Sequence, residues 1–156
     1  MTQTTNLAAM KVVVFQLKEK EYAIPIQQVR GIEKILHITR VPNTAHFVKG
    51  VINLRGVVTP IIDLRARFDI EESPLTDESR IIIVHIDDLE VGLIVDIAND
   101  VIDIPSVNLE PQPEVVGTEE AAFITAVAKI DKRLLILIDL KKVLSEEDLL
   151  ETAGEE

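Results

Sequence analysis

The amino-acid sequence predicts a mainly β protein in which two related small barrels pack on each other. Valine, isoleucine and leucine dominate the apolar runs, whereas aromatic residues make up only 3% of the chain. The runs have the length of single strands and are bounded by turn-forming residues. The chain also repeats itself twice, and a repeated unit that cannot cover its own apolar face must pair with other units.

The first repeat relates a segment near the N-terminus to one in the middle of the chain. Residues 11–31 align without gaps with residues 80–100, a shift of 69, and apolar residues match at most strand positions. A polar turn falls at the same point in both copies, at residues 18–20 and 87–88. Each copy therefore predicts two strands joined by a tight turn.

The second repeat relates a central segment to the C-terminal part of the chain. Residues 51–68 align with residues 127–144, a shift of 76, so that IIDLRARF matches LIDLKKVL. The Arg55-Gly56 corner of the first copy matches residues 131–132 of the second. This copy too predicts a pair of strands, followed by a short helical run.

Local signals predict where strands and helices end. Pro60 interrupts the second strand of its unit, and because proline cannot donate to a ladder it predicts an edge strand or a bulge. Asp63 and Asp139 each close a strand before a helix-like run, where a carboxylate accepts free backbone N–H groups. A Ser-x-x-Asp capping box at residues 145–148 extends a C-terminal helix around residues 140–151.

The units and the segments between them give the expected domain organisation. Proline, serine and acidic residues at 69–79 and 105–122 are typical of surface loops. The sequence leaves open whether each barrel is built from neighbouring units or whether the units intertwine. We expect a disordered N-terminus (1–10), a two-barrel region (11–150) built from units 11–33, 50–68, 80–102 and 127–144, and a flexible acidic tail (151–156).

Composition disfavours several classes of function. The net charge of −11 repels nucleic-acid backbones and anionic lipid, so we expect neither as a partner. The chain has no cysteine, which removes disulfides, thiolate catalysis and cysteine-based zinc sites. No signal peptide and no apolar run near ~18 residues is present, so we expect no membrane insertion and a cytoplasmic location.

The sequence carries no pattern for catalysis, a metal or a cofactor. The three histidines, His37, His46 and His85, lack a nearby partner pattern, and the acidic cluster at residues 96–103 lacks the spacing of a calcium loop. No glycine-rich phosphate loop is present. We expect a protein that is not an enzyme; a small β-barrel hydrolase using His46 with Asp63, or a nucleic-acid-binding barrel, is a less favoured alternative.

One arginine is not explained by local structure. Gly56 supplies the positive φ that a short hairpin loop needs, but Arg55 is not required for that turn. Its planar guanidinium suits a carboxylate or several carbonyls of another molecule, and the alternatives are an intramolecular ion pair or a solvated tip.

The run VKGVINLRGVVTPIIDLR at residues 48–65, preceded by FQLKEKEYAIPIQQV and followed by TDESRIIIV and VGLIVD, resembles the CheW family. The family comprises the coupling proteins of bacterial chemotaxis, and the match runs from about residue 11 to about residue 150. The resemblance implies two SH3-like β-barrels of five strands each, packed across a shared apolar core, with a C-terminal helix.

The resemblance also implies an adaptor role. Such a protein links the cytoplasmic tip of chemoreceptors, which are methyl-accepting chemotaxis proteins, to the regulatory domain of the histidine kinase CheA, at the inner face of the membrane. A related adaptor serving a different chemosensory or motility array, or a truncated CheV-like protein, is the nearest alternative.

The resemblance assigns candidate receptor-binding residues. Arg55 falls on the family's arginine for receptor contact, and Asn53 and Gly56 complete that corner. Val29 falls on an apolar position in the receptor-facing groove between the barrels, with Ile32 beside it; ordinary core packing is the alternative for both. Many members have an acidic residue two positions after Val29 that can pair with the arginine. This chain has Gly31 there, so Glu33 is the expected partner of Arg55. The kinase-contacting residues are not assigned.

Overall fold

The computed structural model describes residues 9–111 and 120–144, and it is mainly β. The predicted capping box at 145–148 and the acidic tail lie outside the described residues, as does the N-terminus up to residue 8. The prediction of a disordered N-terminus is wrong for Ala9 and Met10, which are the first residues of β1. The strands are β1 (Ala9–Leu17), β2 (Lys20–Pro25), β3 (Val29–Lys34), β4 (Val48–Leu54), β5 (Val57–Asp63), β6 (Arg80–Ile86), β7 (Leu89–Val95), β8 (Ile97–Pro105), β9 (Leu109–Pro111), β10 (Ile124–Ile130) and β11 (Arg133–Ile138).

The strands form two sheets in which the repeated units intertwine. One sheet has the order β8-β1-β2-β11-β10-β9, and the other has the order β3-β6-β7-β5-β4. The first hairpin of the chain therefore pairs with the last, through parallel pairing of β2 and β11, while β5 and β7 join the two middle hairpins in the same way. The expectation of five strands in each barrel is wrong for the first sheet, because the short strand β9 adds a sixth.

Both faces of the central hairpins are buried, which explains their unbroken apolar runs. Along β1, Val13 and Phe15 point into a core shared by the two sheets, whereas Val12 and Val14 point into a second cluster within the first sheet. The matching strand β6 alternates in the same way, with Ile82 and Val84 in the shared core and Ile81 and Ile83 in a third cluster. The central hairpin of each sheet therefore packs one face against the core shared with the other sheet and the other face against an apolar cluster of its own sheet.

Two short helices, α1 (Leu64–Arg67) and α2 (Leu140–Val143), repeat the same local structure 76 residues apart. The Oδ1 atoms of Asp63 and Asp139 each accept a backbone N–H two residues ahead at 3.0 Å, which confirms both predicted N-caps. The backbone N–H of each aspartate donates to the carbonyl of a phenylalanine, Phe47 or Phe123. The C-terminal helix ends at Val143 and Leu144 is its C-cap, so the prediction of a helix that runs through residue 144 is wrong; residues 145–151 of the predicted helix lie outside the described residues.

Of the two alternatives predicted from Pro60, the edge strand is wrong for β5 as a whole, whereas the β4–β5 ladder does have a register shift close to Pro60, between Val48 and Gly50. β5 lies inside its sheet, between β7 and β4. Pro60 is paired with Val51 of β4, and pairing with β7 begins only at Ile61. The missing N–H of proline therefore falls where β5 has a single neighbour.

Candidate functional site

The Arg55-Gly56 corner is the tip of the β4–β5 hairpin and has an unusual backbone. Gly56 has a φ of 85°, as the sequence predicts, but Arg55 also has a positive φ, of 52°. Positive φ at both central residues is the geometry of a type I′ turn, which favours Asn-Gly or Asp-Gly over Arg-Gly. The Asn53 Oδ1 atom accepts the Gly56 N–H at 2.9 Å and so braces the tip.

The guanidinium of Arg55 is presented to solvent. Its side chain is 77% exposed, and its Nη2 atom lies 3.4 Å from the Glu33 Oε2 atom across the open edge of the sheet. The Glu33 side chain lies over Gly31: its Oε2 atom would be 3.8 Å from a Cβ placed on that glycine. The carboxylate that the family resemblance places at position 31 is thus supplied here from position 33. A contact this long and exposed adds little stability, so the guanidinium is available to another molecule.

Val29 and Ile32 lie where the shared core opens to solvent. Val29 is paired with Val84 and Ile32 with Ile82, and both partners belong to the shared core. Residues directly opposite in an antiparallel ladder share a face of the sheet, so Val29 and Ile32 lie on the face that packs against the other sheet. Val29 is half-buried there, whereas Ile32 is 44% exposed.

Two exposed valines beside the turn were not singled out from the sequence. Val57 and Val58 begin β5, directly after the corner, and are 54% and 68% exposed. Their run VVTPII has the composition of a buried strand, so composition alone gave no signal of exposure. They add apolar surface beside Arg55 on the same hairpin.

A second ionic cluster, also not predicted, joins the two sheets. Arg65 of α1 makes a bidentate contact with Asp96, with the Nε–Oδ1 distance at 3.0 Å, and the Asp96 Oδ2 atom accepts the backbone N–H of Lys18 at 2.7 Å. Burial by itself would raise the pKa of the Asp96 carboxyl. The hydrogen bonds from Arg65 and Lys18, together with the charge of Arg65, lower this pKa below its usual value. Asp96 therefore acts as a structural carboxylate between the first hairpin and α1.

Arg67 holds the two helices together at the centre of the molecule. Its guanidinium lies 4.3 Å from the ring centroid of Phe47 and 4.7 Å from that of Phe123, and these two phenylalanines occupy equivalent places in the repeat. Its Nε atom donates to the Val143 carbonyl at 2.9 Å. This arginine is used internally, in contrast to Arg55.

The hydrolase pair considered from the sequence is not joined. The His46 Nε2 atom lies 3.3 Å from the Ala66 carbonyl oxygen, whereas Asp63 caps α1. The pKa of the Asp63 carboxyl is raised, because burial outweighs its hydrogen bond from Arg65 N–H. Within residues 9–111 and 120–144, no cluster of three or more His, Cys, Asp or Glu side chains could hold a metal ion. No helix in that part of the chain is long and apolar enough to cross a membrane.

Comparisons with known proteins agree with the geometry. The protein-family model of the CheW-like domain matches residues 11–148 of this chain. The chain is 49% identical over 137 residues to chemotaxis protein CheW of Bacillus subtilis, covering 88% of each chain. It is 36% identical over 136 residues to chemotaxis protein CheW of Klebsiella aerogenes, covering 87% of this chain and 82% of the relative. The crystal structure of scaffolding protein TtCheW from Thermoanaerobacter tengcongensis superimposes with a TM-score of 0.82 at 40% identity, covering 89% of this chain and 94% of that one.

Proposed function

Because this chain belongs to the CheW family of chemotaxis scaffold proteins, we propose that it couples chemoreceptors to the histidine kinase CheA. In this proposal one surface holds the cytoplasmic tip of a receptor and another holds the regulatory domain of the kinase. The protein then acts in the cytoplasm, beneath the membrane, by being a member of the receptor array. It converts no substrate.

The observation that carries the proposal is the state of Arg55. It is the more solvent-exposed member of the corner's ion pair, at 77% against 25% for Glu33, and it occupies a left-handed conformation that arginine adopts at a cost. A positive φ also occurs at Lys18, Asp87 and Asp131 in other hairpin turns of this chain, so the exposure of the Arg55 guanidinium carries the proposal. In this proposal Val29 and Ile32, on the opposite face of β3 from Glu33, supply the apolar part of the receptor contact.

Modest interfaces suit an adaptor of this kind. An interface of about 800 Å² per partner can have micromolar affinity when it has few hot spots, and multivalent binding within an array strengthens the overall association. An arginine at the centre of such an interface contributes about 2 kcal/mol or more, which is roughly a 30-fold change in affinity.

Arg55→Ala in a reconstituted receptor–kinase assay tests the receptor part of the proposal. We expect the variant to remain folded and to lose most receptor-dependent kinase activation, because its guanidinium is absent. Lys132→Ala, at the equivalent hairpin of the other sheet, is the matched control and should activate normally. Unchanged activation by Arg55→Ala would remove this residue from the receptor site.

Titration with the regulatory domain of a cognate CheA, followed by NMR or calorimetry, tests the kinase part. Saturable one-to-one binding is expected. Binding instead to the regulatory domain of a motility-array kinase would assign the protein to that array, and binding to none of several cognate kinases would contradict the adaptor function.

A further inference from the structure

Two like charges face each other at the end of the β3–β6 ladder. Lys34 of β3 lies directly opposite Arg80 of β6. Directly opposite side chains stand about 5 Å apart on one face of a sheet, and like charges in this arrangement destabilise it. In a chain with 27 acidic and 16 basic residues, cations are the scarcer charge, so this pairing is not a consequence of composition.

In the described part of the chain, no ion pair neutralises these two cations. The Arg80 Nη1 atom donates to the backbone carbonyls of Asp77 and Ser79, both at 2.8 Å. Within the described ranges, Lys34 and Arg80 form no ion pair with a carboxylate, although Asp77 lines the same surface depression. Lys34 is exposed. The two cations therefore offer an anion site that no described side chain fills.

The pair continues the apolar surface of the candidate receptor site. Val29, Ile32 and Lys34 follow one another along β3, and their partners Val84, Ile82 and Arg80 lie on the same face of the sheet. The surface thus changes from apolar to cationic along one strand. Two residues of a strand span about 6.6 Å, which is close to the 5.4 Å rise of one helical turn.

We propose that Lys34 and Arg80 bind a carboxylate of the segment that covers Val29 and Ile32. That segment carries an apolar side chain and an aspartate or glutamate about one helical turn, or two strand residues, away from it. The inference rests on the proposed function, in which the segment belongs to the chemoreceptor tip. It explains why the fold keeps a destabilising pair: the receptor supplies the counter-charge.

A charge reversal separates this role from a structural one. In Lys34→Glu the like pair becomes an opposite pair with Arg80, so the variant should melt no lower than the wild type. Its affinity for the cytoplasmic fragment of a cognate chemoreceptor should fall about tenfold at low salt, with a shallower salt dependence. Lys132→Glu changes the net charge equally at a distant hairpin and should bind as the wild type does. Lys34→Met, which keeps the aliphatic stem, should show a smaller loss.

Calorimetric titration of that receptor fragment at two salt concentrations decides the matter. Equal affinities for the wild type and Lys34→Glu overturn the inference and leave the proposed function standing. Absence of wild-type binding overturns both. If Lys34→Glu instead removes a self-association seen by sedimentation velocity and leaves receptor binding unchanged, the occupant is a second copy of this chain and the assignment to the receptor is wrong.

Discussion

Replacing Arg55 by asparagine should make the fold more stable and the adaptor less active. Arg55 has a φ of 52°, and the left-handed conformation costs an L-residue about 1–2 kcal/mol, less for asparagine. The substitution also removes the ion pair with Glu33. That pair spans 3.4 Å and involves an arginine side chain that is 77% exposed, so its removal offsets little of the gain. We expect Arg55→Asn to raise the free energy of unfolding by about 0.5–1 kcal/mol.

Thermal denaturation and receptor binding, measured on the same sample, test this prediction. For a chain of this length the gain corresponds to a rise in Tm of about 2 °C. Affinity for the receptor fragment should fall about 30-fold, because asparagine provides no guanidinium.

Lys18→Asn is the matched control. Lys18 has nearly the same φ, 61°, at the tip of another hairpin, and its backbone N–H to Asp96 is retained. This variant should gain similar stability without any loss of receptor binding. A lower Tm for Arg55→Asn would refute the assignment of backbone strain to this corner, and normal receptor binding by it would refute the role of the guanidinium in the receptor contact.

Three further predictions concern the scaffold. Because the folded-state pKa of Asp96 is lowered, its stabilisation is present above the unfolded-state pKa of about 4 and is lost as the pH falls through the folded-state value. Asp96→Asn should therefore have a lower Tm than the wild type at pH 7, and its Tm should fall less steeply with pH below pH 4. Parallel curves of Tm against pH for the two proteins would contradict this. Asp139→Ala should lower the free energy of unfolding by about 1 kcal/mol in urea denaturation, since Lys141 N–H loses its cap, whereas Asp139→Asn should retain most of it. Gly92→Ala should lower the free energy of unfolding by about 1–3 kcal/mol, because the new Cβ would lie 2.6 Å from Ile61 Cδ1. A urea midpoint equal to that of the wild type would contradict this and show that the core accommodates the added methyl group.

Much of the local structure could be predicted from the sequence. The hairpins at 11–31 and 80–100, the corner at Arg55-Gly56 and the caps at Asp63 and Asp139 are each encoded within a few residues, by apolar runs, turn formers and a carboxylate in the right place. The two-barrel class followed from the repeats, and the family followed from the run around Asn53 and Arg55. The roles of Val29, Ile32, Asn53, Arg55 and Gly56 in receptor binding remain predictions.

Only the tertiary structure decided which units pair. The apolar runs of β1 and β6 specify that both of their faces are buried, but they do not specify the partner strand, so neighbouring and intertwined pairings were equally compatible with the sequence. The pairing of β2 with β11 and of β5 with β7 depends on contacts between distant segments, which local periodicity does not record. For the same reason, the sequence did not predict the ion pair of Arg65 with Asp96 or the facing charges of Lys34 and Arg80. The sequence by itself determined the strands, turns and family. Three-dimensional packing determined the neighbours of each side chain, because burial of both faces of the central hairpins depends on contacts between segments that are distant in the chain.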